Sequence, residues 1–364
     1  MGYNSTMKKV FLILVLLFLA LLGIFILVKQ KVAHDLSQPI IPSAPSPTPT
    51  LVVSDGKETT SIFVPYWGLD TDTSEVYDRY LYFGITVDEF GIANEIGKER
   101  IPDFLEVVPD SSESLLTVRM VDSTINTKVL RNLSLQKTII KESIAEAKRY
   151  GFSGIVLDLE VNALPFNAIV SQITDFTQSF RKQVQSEQLT FGVAIYGDAF
   201  YRARPFEVQS LAKDVDDLYV MAYDFHKSRG NPGPNFPLEG KSEYGYDYDE
   251  LVEDFLGAVD PDIITVVFGM YGYDWEIDSS GNPISYGKAR TLNEITSTLL
   301  SDCPYRSCTI TRDVDSSETQ IIYTDNTDTQ HIVWFEDRES SKKKSDFLKG
   351  RGISNIGFWA YSYY

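Results

Sequence analysis

The feature that most constrains this chain is a regular alternation of apolar runs with amphipathic stretches between residues 60 and 364. Eight runs are nearly continuous in apolar character and rich in β-branched and aromatic residues, which is typical of buried parallel strands. The stretches between them, of which 134–151 and 165–184 are the clearest, repeat apolar residues at helical spacing. The predicted strands are 61–67, 80–86, 114–120, 154–160, 189–196, 217–224, 263–272 and 353–361.

Eight such strands separated by helices predict an α/β fold, a parallel (β/α)8 TIM barrel. A doubly wound open sheet is the alternative, although no nucleotide-binding glycine fingerprint follows the first strand. One intervening helix is predicted to begin at Ser134 and to end at Gly151. Between the seventh and eighth strands the chain is too long for one helix and contains β-rich pieces. We therefore predict a small α+β insertion at about 275–340.

The first 59 residues differ in character from the rest. Residues 10–28 are uncharged and apolar, and a run of this length is enough to span a bilayer as a helix. The run is longer than that of a signal peptide, and no small-residue cleavage site is clear. An uncleaved signal anchor after a short tail, 1–9, is therefore favoured over a cleaved signal. Residues 29–59 contain a Pro/Ser/Thr-rich stretch, which predicts an extended linker.

This organisation predicts a single-pass protein of the cell membrane whose domain at 60–364 lies on the extracytoplasmic side. Lysines flank both ends of the apolar run, so the positive-inside rule gives little information on orientation. In an oxidising compartment Cys303 and Cys308 could form a short-loop disulfide, and two unpaired thiols are the alternative.

Composition argues against several classes of function. The formal net charge of −18 argues against nucleic acid as a partner, because phosphate binding needs a basic surface. The three histidines, His34, His226 and His331, do not have metal-ligand spacing, and there are two cysteines in all. No metal site and no cofactor are therefore expected. A structural role is expected for His226.

The fourth predicted strand carries two acids in the segment GFSGIVLDLE, residues 151–160. Residues two apart in a strand face the same side, so Val156, Asp158 and Glu160 share one face. In a barrel this face points inward and rises to the carboxyl-terminal mouth, where catalytic groups lie. The alternative is that the two acids merely end the strand and cap the next helix.

This segment resembles the signature of family 18 glycoside hydrolases, the chitinase-like enzymes, written D-G-x-D-x-D-x-E. Three more segments are similar to elements of the same family at matching strand ends. YVMAYDFH (219–226) resembles the sixth-strand M-x-Y-D element, VVFGMYGYDW (266–275) the seventh-strand segment, and IGFWAY (356–361) the eighth.

Two further segments narrow the resemblance within the family. GPNFPL (233–238) and HIVWFEDRES (331–340) are similar to the branch that includes bacterial spore-germination and cortex-lytic hydrolases. The resemblance thus covers nearly all of residues 60–364, including the expected insertion.

The resemblance implies a glycosidase that cleaves β-linked N-acetylglucosamine polymers by substrate-assisted catalysis. Glu160 would be the general acid and Asp158 would hold the acetamido N–H of the sugar. Tyr223 would donate its hydroxyl to the acetamido oxygen, Trp359 would form the floor of the site, and Asp224 would contact the sugar. For Trp359 and Tyr223, packing in the core is the alternative.

Four more aromatic residues at strand ends are candidates for stacking on sugars, with core or rim packing as the equal alternative. They are Tyr66, Trp67, Tyr271 and Trp275, of which Tyr66 and Tyr271 are taken as substrate-binding residues.

The sequence departs from the family signature at two positions. Ser153 and Val156 stand where the signature has acids. The middle acid normally supports the next one inside the barrel, so Asp158 is expected to take its support from Thr or Tyr hydroxyls. Because Asp158 and Glu160 are retained, an enzyme is favoured. A catalytically silent carbohydrate-binding protein on the same scaffold is the alternative, and an unrelated barrel enzyme is a third.

Overall fold

A computed structural model describes residues 58–71, 75–93 and 95–364 of the chain. Within these ranges the strands are β1 (Thr60–Pro65), β2 (Arg79–Thr86), β3 (Glu113–Met120), β4 (Gly154–Leu159), β5 (Thr190–Tyr196), β6 (Asp217–Met221), β7 (Ile264–Gly269), β8 (Tyr271–Ile277), β9 (Lys288–Thr291), β10 (Arg306–Arg312), β11 (Thr319–Thr324), β12 (Gln330–Phe335) and β13 (Asn355–Trp359).

The helices alternate with the strands over the first two thirds of the domain. They are α1 (Ile96–Glu99), α2 (Ile101–Val107), α3 (Ser123–Leu130), α4 (Leu133–Tyr150), α5 (Asn167–Ser186), α6 (Val208–Ala212), α7 (Lys241–Tyr244), α8 (Tyr248–Leu256), α9 (Leu292–Ile295) and α10 (Arg338–Gly350). Single 3-10 turns at Tyr66–Gly68 and Pro261–Ile263 and a π-helical turn at Thr296–Leu300 complete the set.

The eight predicted strands form a closed parallel barrel in the order β1-β13-β7-β6-β5-β4-β3-β2. Closure comes from the pairing of β1 with both β2 and β13, in which Ser61 lies opposite Arg79 on one side and Gly357 on the other. This confirms the predicted barrel, and the open doubly wound sheet is excluded because β1 and β13 leave no free edge.

Helix α4 shows how local sequence signals place the elements outside the barrel. Its N-cap is Asn132, whose side chain accepts hydrogen bonds from the backbone N–H groups of Ser134 and Leu135. The predicted start at Ser134 was therefore two residues late, since an amide oxygen caps a helix as well as a hydroxyl does. The helix ends where predicted, at Gly151, which adopts a left-handed φ of 77°.

The insertion between β7 and β13 forms a five-stranded sheet in the order β10-β11-β12-β8-β9. Its ladders are antiparallel, and Trp275, Ile277 and Trp334 make a small separate core on it. Trp275 is fully buried there, so it packs rather than stacking on a ligand. The sheet begins at Tyr271. The predicted strand 263–272 therefore covers two strands, the whole of β7 in the barrel and the first two residues of β8 in the insertion.

The predicted tail at 1–9 and the predicted anchor at 10–28 lie outside the described residues, as does the predicted linker up to residue 57. Across residues 58–71, 75–93 and 95–364, none of the helices combines the length and the apolar character needed to cross a membrane.

Candidate active site

The inside of the barrel is filled by one small apolar cluster, to which seven barrel strands contribute. Its members are Phe63, Leu81, Phe83, Leu115, Val156, Ala194, Tyr219 and Val267. On β4 the aliphatic residues Ile155, Leu157 and Leu159 belong instead to the outer core under the helices. The side-chain alternation of β4 is therefore the one expected, and it points Asp158 inward above Val156.

A cavity of about 250 Å³ opens above this cluster, at the carboxyl ends of the barrel strands. Active sites of such barrels lie at this end. The cavity is lined by Phe63, Trp67, Phe83, Arg119, Val121, Asp158, Glu160, Ala194, Tyr196, Met221, Tyr223, Asp224, Lys227, Tyr271 and Trp359.

Asp158 lies deep in the cavity wall and is 3% exposed. Burial and the negative charge of Glu160 raise the pKa of Asp158 to about 8, although the nearby Arg119 opposes the shift. Its Oδ1 atom has no hydrogen-bond partner among the described residues. A carboxyl group with this pKa retains a proton at neutral pH.

Glu160 follows β4 directly and is half-buried. Its backbone N–H donates to the carbonyl of Met120 at 2.8 Å, and its own carbonyl accepts from the side chain of Asn126 at 2.6 Å. The hydroxyl of Tyr196, at the end of β5, donates to Glu160 Oε2 at 2.9 Å. Backbone and side chain are thus both held, with Oε2 oriented by Tyr196.

Tyr223 and Trp359 face each other across the cavity floor. Their ring centroids are 6.5 Å apart and their planes differ by 24°. Trp359, at the end of β13, also meets Phe83 edge-on at 4.6 Å. Burial and the charge of Asp158 raise the pKa of Tyr223 well above its usual value, so its hydroxyl remains a donor.

Asp224 is held from three directions beside Tyr223. The hydroxyls of Tyr271 and Tyr273 both donate to its Oδ1 atom, the latter at 2.8 Å. Its backbone, with a left-handed φ of 59°, donates from N–H to Asn235 Oδ1 at 2.7 Å. A left-handed residue that is not glycine is costly, and such strain persists where neighbours over-determine it.

The two aromatic residues after β1 have different positions. Trp67 is 45% exposed and lines the cavity, whereas Tyr66 does not line it. The Tyr66 ring packs edge-on against Trp67 at 5.0 Å. Of this pair, Trp67 rather than Tyr66 is placed to meet a ligand. Tyr271 lines the cavity but is buried, with its hydroxyl on Asp224.

The two departures from the signature have different structural settings. Ser153 is exposed and donates to the carbonyl of Ser114 at 3.0 Å, at the opposite end of β4 from the cavity. Val156 is 1% exposed inside the barrel. Among the described residues no Thr or Tyr hydroxyl donates a hydrogen bond to Asp158, contrary to the expectation. Thr117, which lies opposite Val156, has its Oγ1 atom unpaired. Arg119, opposite Asp158 on β3, is the charge that counters its burial instead.

Other predicted residues lie away from the cavity. Cys303 and Cys308 form a disulfide in the insertion. His226 donates from Nδ1 to the carbonyl of Pro234 at 2.8 Å, and burial lowers its pKa, as suits a structural residue. Among the residues that the structure describes, no three His, Cys, Asp or Glu side chains group as metal ligands would.

The sequence prediction does not include several polar residues that touch the site or hold it: Arg119, Tyr196, Lys227, Asn235 and Tyr273. A signal existed for Tyr196 and Arg119, since both lie on inward positions near the carboxyl ends of predicted strands. Lys227 and Asn235 are in the loop after β6, whose course has no periodicity to read.

Comparison with known proteins gives a family and several relatives. Residues 121–363, more than half of the chain, match the family described as Glycosyl hydrolases family 18. The cortical fragment-lytic enzyme of Bacillus subtilis is 22% identical over 237 residues. The match covers 64% of this chain and 51% of that enzyme, so the chain spans about half of its relative's length.

Solved structures share the fold. The class V chitinase from Nicotiana tobaccum superposes with a TM-score of 0.72 at 16% identity, over 84% of this chain and 94% of that one. The Bacillus cereus spore cortex-lytic enzyme SleL gives a TM-score of 0.67 at 18% identity, over 84% of this chain and 71% of SleL.

Proposed function

The chain belongs to glycosyl hydrolase family 18, and from that premise we propose that it is a membrane-anchored hydrolase of β-linked N-acetylglucosamine polymers, either peptidoglycan or chitin-like. The observation that carries this proposal is the placement of Glu160 and Asp158 together in the cavity at the carboxyl end of β4. The names of the cortical fragment-lytic and chitinase relatives support the same class of substrate.

The spacing of the two acids favours substrate-assisted catalysis. Both lie on one face of β4 and its extension, so they cannot reach opposite faces of a sugar ring as a nucleophile and acid pair would. In our proposal the acetamido oxygen of the bound sugar attacks its own anomeric carbon. The glycosidic C–O bond breaks as Glu160 gives its proton to the leaving oxygen, and an oxazolinium forms.

The second step returns the enzyme to its starting state. The Glu160 carboxylate takes a proton from water, whose oxygen adds to the anomeric carbon and opens the oxazolinium ring. The acetamido group is restored and the configuration at the anomeric carbon is retained. Tyr196, which donates to Glu160 Oε2, leaves the other oxygen of Glu160 for proton transfer.

The remaining residues orient the sugar. Asp158 accepts from the acetamido N–H and Tyr223 donates to the acetamido oxygen. Trp359 provides the apolar floor, and Asp224 contacts the sugar with its Oδ1 atom already held by Tyr271 and Tyr273. Tyr271 therefore acts through Asp224. The raised pKa of Asp158 keeps one proton on the acidic pair near neutral pH. In our proposal this proton moves to Glu160 before the first step, which leaves Asp158 as the carboxylate that accepts from the acetamido N–H.

We place this activity at the outer face of the cell membrane. Residues 10–28 would anchor the chain and residues 29–59 would tether the barrel. The disulfide between Cys303 and Cys308 supports an extracytoplasmic location, because such bonds persist in oxidising compartments.

A sugar-binding protein without catalysis is the second candidate, and Val156 favours it. The buried valine leaves Asp158 without the neighbouring acid that the family signature places there. A silent protein would still bind N-acetylglucosamine oligomers through Trp359 and Asp224.

The test is hydrolysis by the full-length chain in detergent, with N-acetylglucosamine oligomers and purified peptidoglycan as substrates and new reducing ends as the readout. We expect Glu160→Gln to lower kcat by roughly a hundredfold to ten-thousandfold, the usual contribution of a general acid. Glu99→Gln, an exposed glutamate outside the cavity, is the matched control. Binding without cleavage by the unsubstituted chain would establish the second candidate instead.

A further inference from the structure

Two cations line the cavity, Arg119 and Lys227, and Arg119 interacts with Asp158 only through space. The chain has 51 acidic and 33 basic residues, so carboxylates are abundant. Arg204, whose guanidinium lies over the ring of Tyr196, pairs with Asp198 at 2.8 Å. Within the described ranges, Arg119 and Lys227 form no ion pair, yet both line the cavity. Many exposed cations of the described residues are also without an ion pair, but Arg119 is half-buried at the candidate site. A half-buried cation in this position is suited to an anionic ligand.

Aromatic rings hold both cations without neutralising them. The guanidinium of Arg119 lies 4.5 Å from the centroid of Phe83 and 5.3 Å from that of Trp67. Lys227 Nζ lies 5.5 Å from the centroid of Tyr196. Cation–π contacts fix the position of a charge but leave its N–H donors open.

Arg119 is the more constrained of the two. It is half-buried on β3, and its Nε atom is buried with no acceptor among the described residues. Desolvation lowers its pKa. A guanidinium in this state gains most from a carboxylate, which it can bind through two parallel charge-assisted hydrogen bonds. The neutral hydroxyls of a chitin sugar would offset the desolvation of the Arg119 guanidinium less than a carboxylate would.

The two cations flank the proposed acid. Arg119 is on β3, next to β4, and lies opposite Asp158 in register. Lys227 follows β6 and lies over Tyr196, the residue that donates to Glu160. A glycan that crosses the cavity at Glu160 therefore passes a positive charge on each side.

We propose that Arg119 and Lys227 form an anion subsite for an N-acetylhexosamine glycan in which some sugars carry an ether-linked carboxylate, as N-acetylmuramic acid does. This rests on the proposed function and deepens it, because it selects a carboxylate-bearing glycan over a neutral N-acetylglucosamine polymer. Two cations on either side of the acid suit a glycan in which charged and neutral sugars alternate.

The experiment compares three tetrasaccharides with the full-length chain in detergent. They are a neutral N-acetylglucosamine tetramer, a tetramer of alternating N-acetylglucosamine and N-acetylmuramic acid without peptides, and the methyl ester of that second glycan. We expect the acid to have the highest kcat/KM and its ester to lose the advantage. Arg119→Gln and Lys227→Gln should each lower the ratio of acidic to neutral kcat/KM by roughly tenfold or more, and Arg119→Lys should restore part of it.

Arg229→Gln is the matched control, since Arg229 is an exposed cation of the same loop as Lys227 but does not line the cavity. It changes the net charge equally and should leave the ratio unaltered. A ratio unchanged in Arg119→Gln and Lys227→Gln, or equal rates on acid and ester, would overturn the subsite.

Failure of the proposed hydrolase is separable from failure of the subsite. If the unsubstituted chain cleaves none of the three glycans, its affinity for each is measured instead by quenching of tryptophan fluorescence. Tighter binding of the acid than of its ester, lost in Lys227→Gln, would support the subsite in a non-catalytic protein. Equal affinity for acid and ester would refute it.

Discussion

At the scale of single residues, the two acids of β4 occupy different environments although they are two positions apart. Asp158 is buried beside the apolar cluster, and its pKa is raised to about 8. Glu160 is half-buried at the end of the strand, with its carboxylate oriented by Tyr196. In our proposal this difference gives the two acids different roles: Asp158 orients the sugar, and Glu160, in contact with the cavity opening, transfers the proton.

The environment of Asp158 predicts an effect on stability. An acid with a pKa near 3.8 when unfolded and about 8 when folded binds its proton more tightly in the folded state. Its contribution to stability is therefore full at low pH and is lost as pH rises from about 4 to about 8. We expect Asp158→Asn, which never ionises, to be more stable than the unsubstituted chain at pH 8, by an amount on the order of a few kcal/mol.

The measurement is the thermal unfolding midpoint of both chains between pH 4 and pH 9. The gap between the midpoints should widen up to about pH 8 and then stay constant. The variant should also lose hydrolysis, as expected where a strained site trades stability for function. A gap independent of pH would mean that Asp158 is ionised throughout.

At the scale of elements, the insertion is part of the site rather than an appendage. Its first strand, β8, supplies Tyr271 and Tyr273 to Asp224. Glu318, fully buried just before β11, accepts from the backbone N–H groups of Asn235 and Phe236 at 2.5 and 2.8 Å. The buried Lys344 of α10 donates to Glu318 at 2.7 Å and also pairs with Glu336. The insertion and α10 thus fix the position of the loop that carries Asn235, through the buried Glu318 and Lys344.

Asn235 connects this loop to the candidate site through its side-chain amide. Its amide oxygen accepts from Asp224 N–H, and its amide nitrogen donates to the carbonyl of Gly269 at 2.9 Å. We expect Asn235→Ala to lower stability by about 1–3 kcal/mol, because it leaves buried backbone groups unpaired. We also expect a rise in KM that exceeds the fall in kcat, since in our proposal Asp224 contacts the sugar, and the substitution does not touch Glu160.

Steady-state kinetics and thermal unfolding of this variant check both expectations. Asn231→Ala is the control, as Asn231 is an exposed residue of the same loop. If KM rises and kcat falls by the same factors in Asn235→Ala and Asn231→Ala, Asn235 has no particular role in positioning Asp224.

At the scale of the whole molecule, the net charge and the proposed membrane anchor would both affect which substrate the barrel meets. A net charge of −18 repels anionic polymers at long range, so capture of an acidic glycan would depend on local cations and on proximity. Tethering the barrel to a membrane raises the local concentration of any polymer that lies against that membrane. This favours a substrate at the cell surface rather than one free in solution.

The anchor can be tested directly. We expect the full-length chain to sediment with membranes and to resist extraction by high salt, because an apolar run of this length inserts into the hydrocarbon core. Removal of residues 10–28 should move it to the soluble fraction. Release of the full-length chain by salt alone would contradict an inserted helix and indicate peripheral association.

Most barrel strands can be predicted from the sequence, because the patterns that identify them involve residues close together in the chain. Strand and helix periodicity in each segment depends on neighbouring residues, so eight strands and the inward face of β4 could be read from the chain. The failures have equally local causes. The sequence prediction places the cap at Ser134 rather than Asn132, and it predicts one strand across β7 and the start of β8 because apolar residues continue across their junction.

Taken alone, the sequence determined the number and order of the barrel strands and the shared face of Val156, Asp158 and Glu160, since a two-residue period follows from strand geometry. Tertiary structure decided which distant residues meet that face. Tyr196 reaches Glu160 across 36 positions, and Glu318 reaches Asn235 across 83. Such contacts form because barrel closure and loop packing pair buried polar groups that would otherwise be unsatisfied, and no local pattern in the chain records which partners those are.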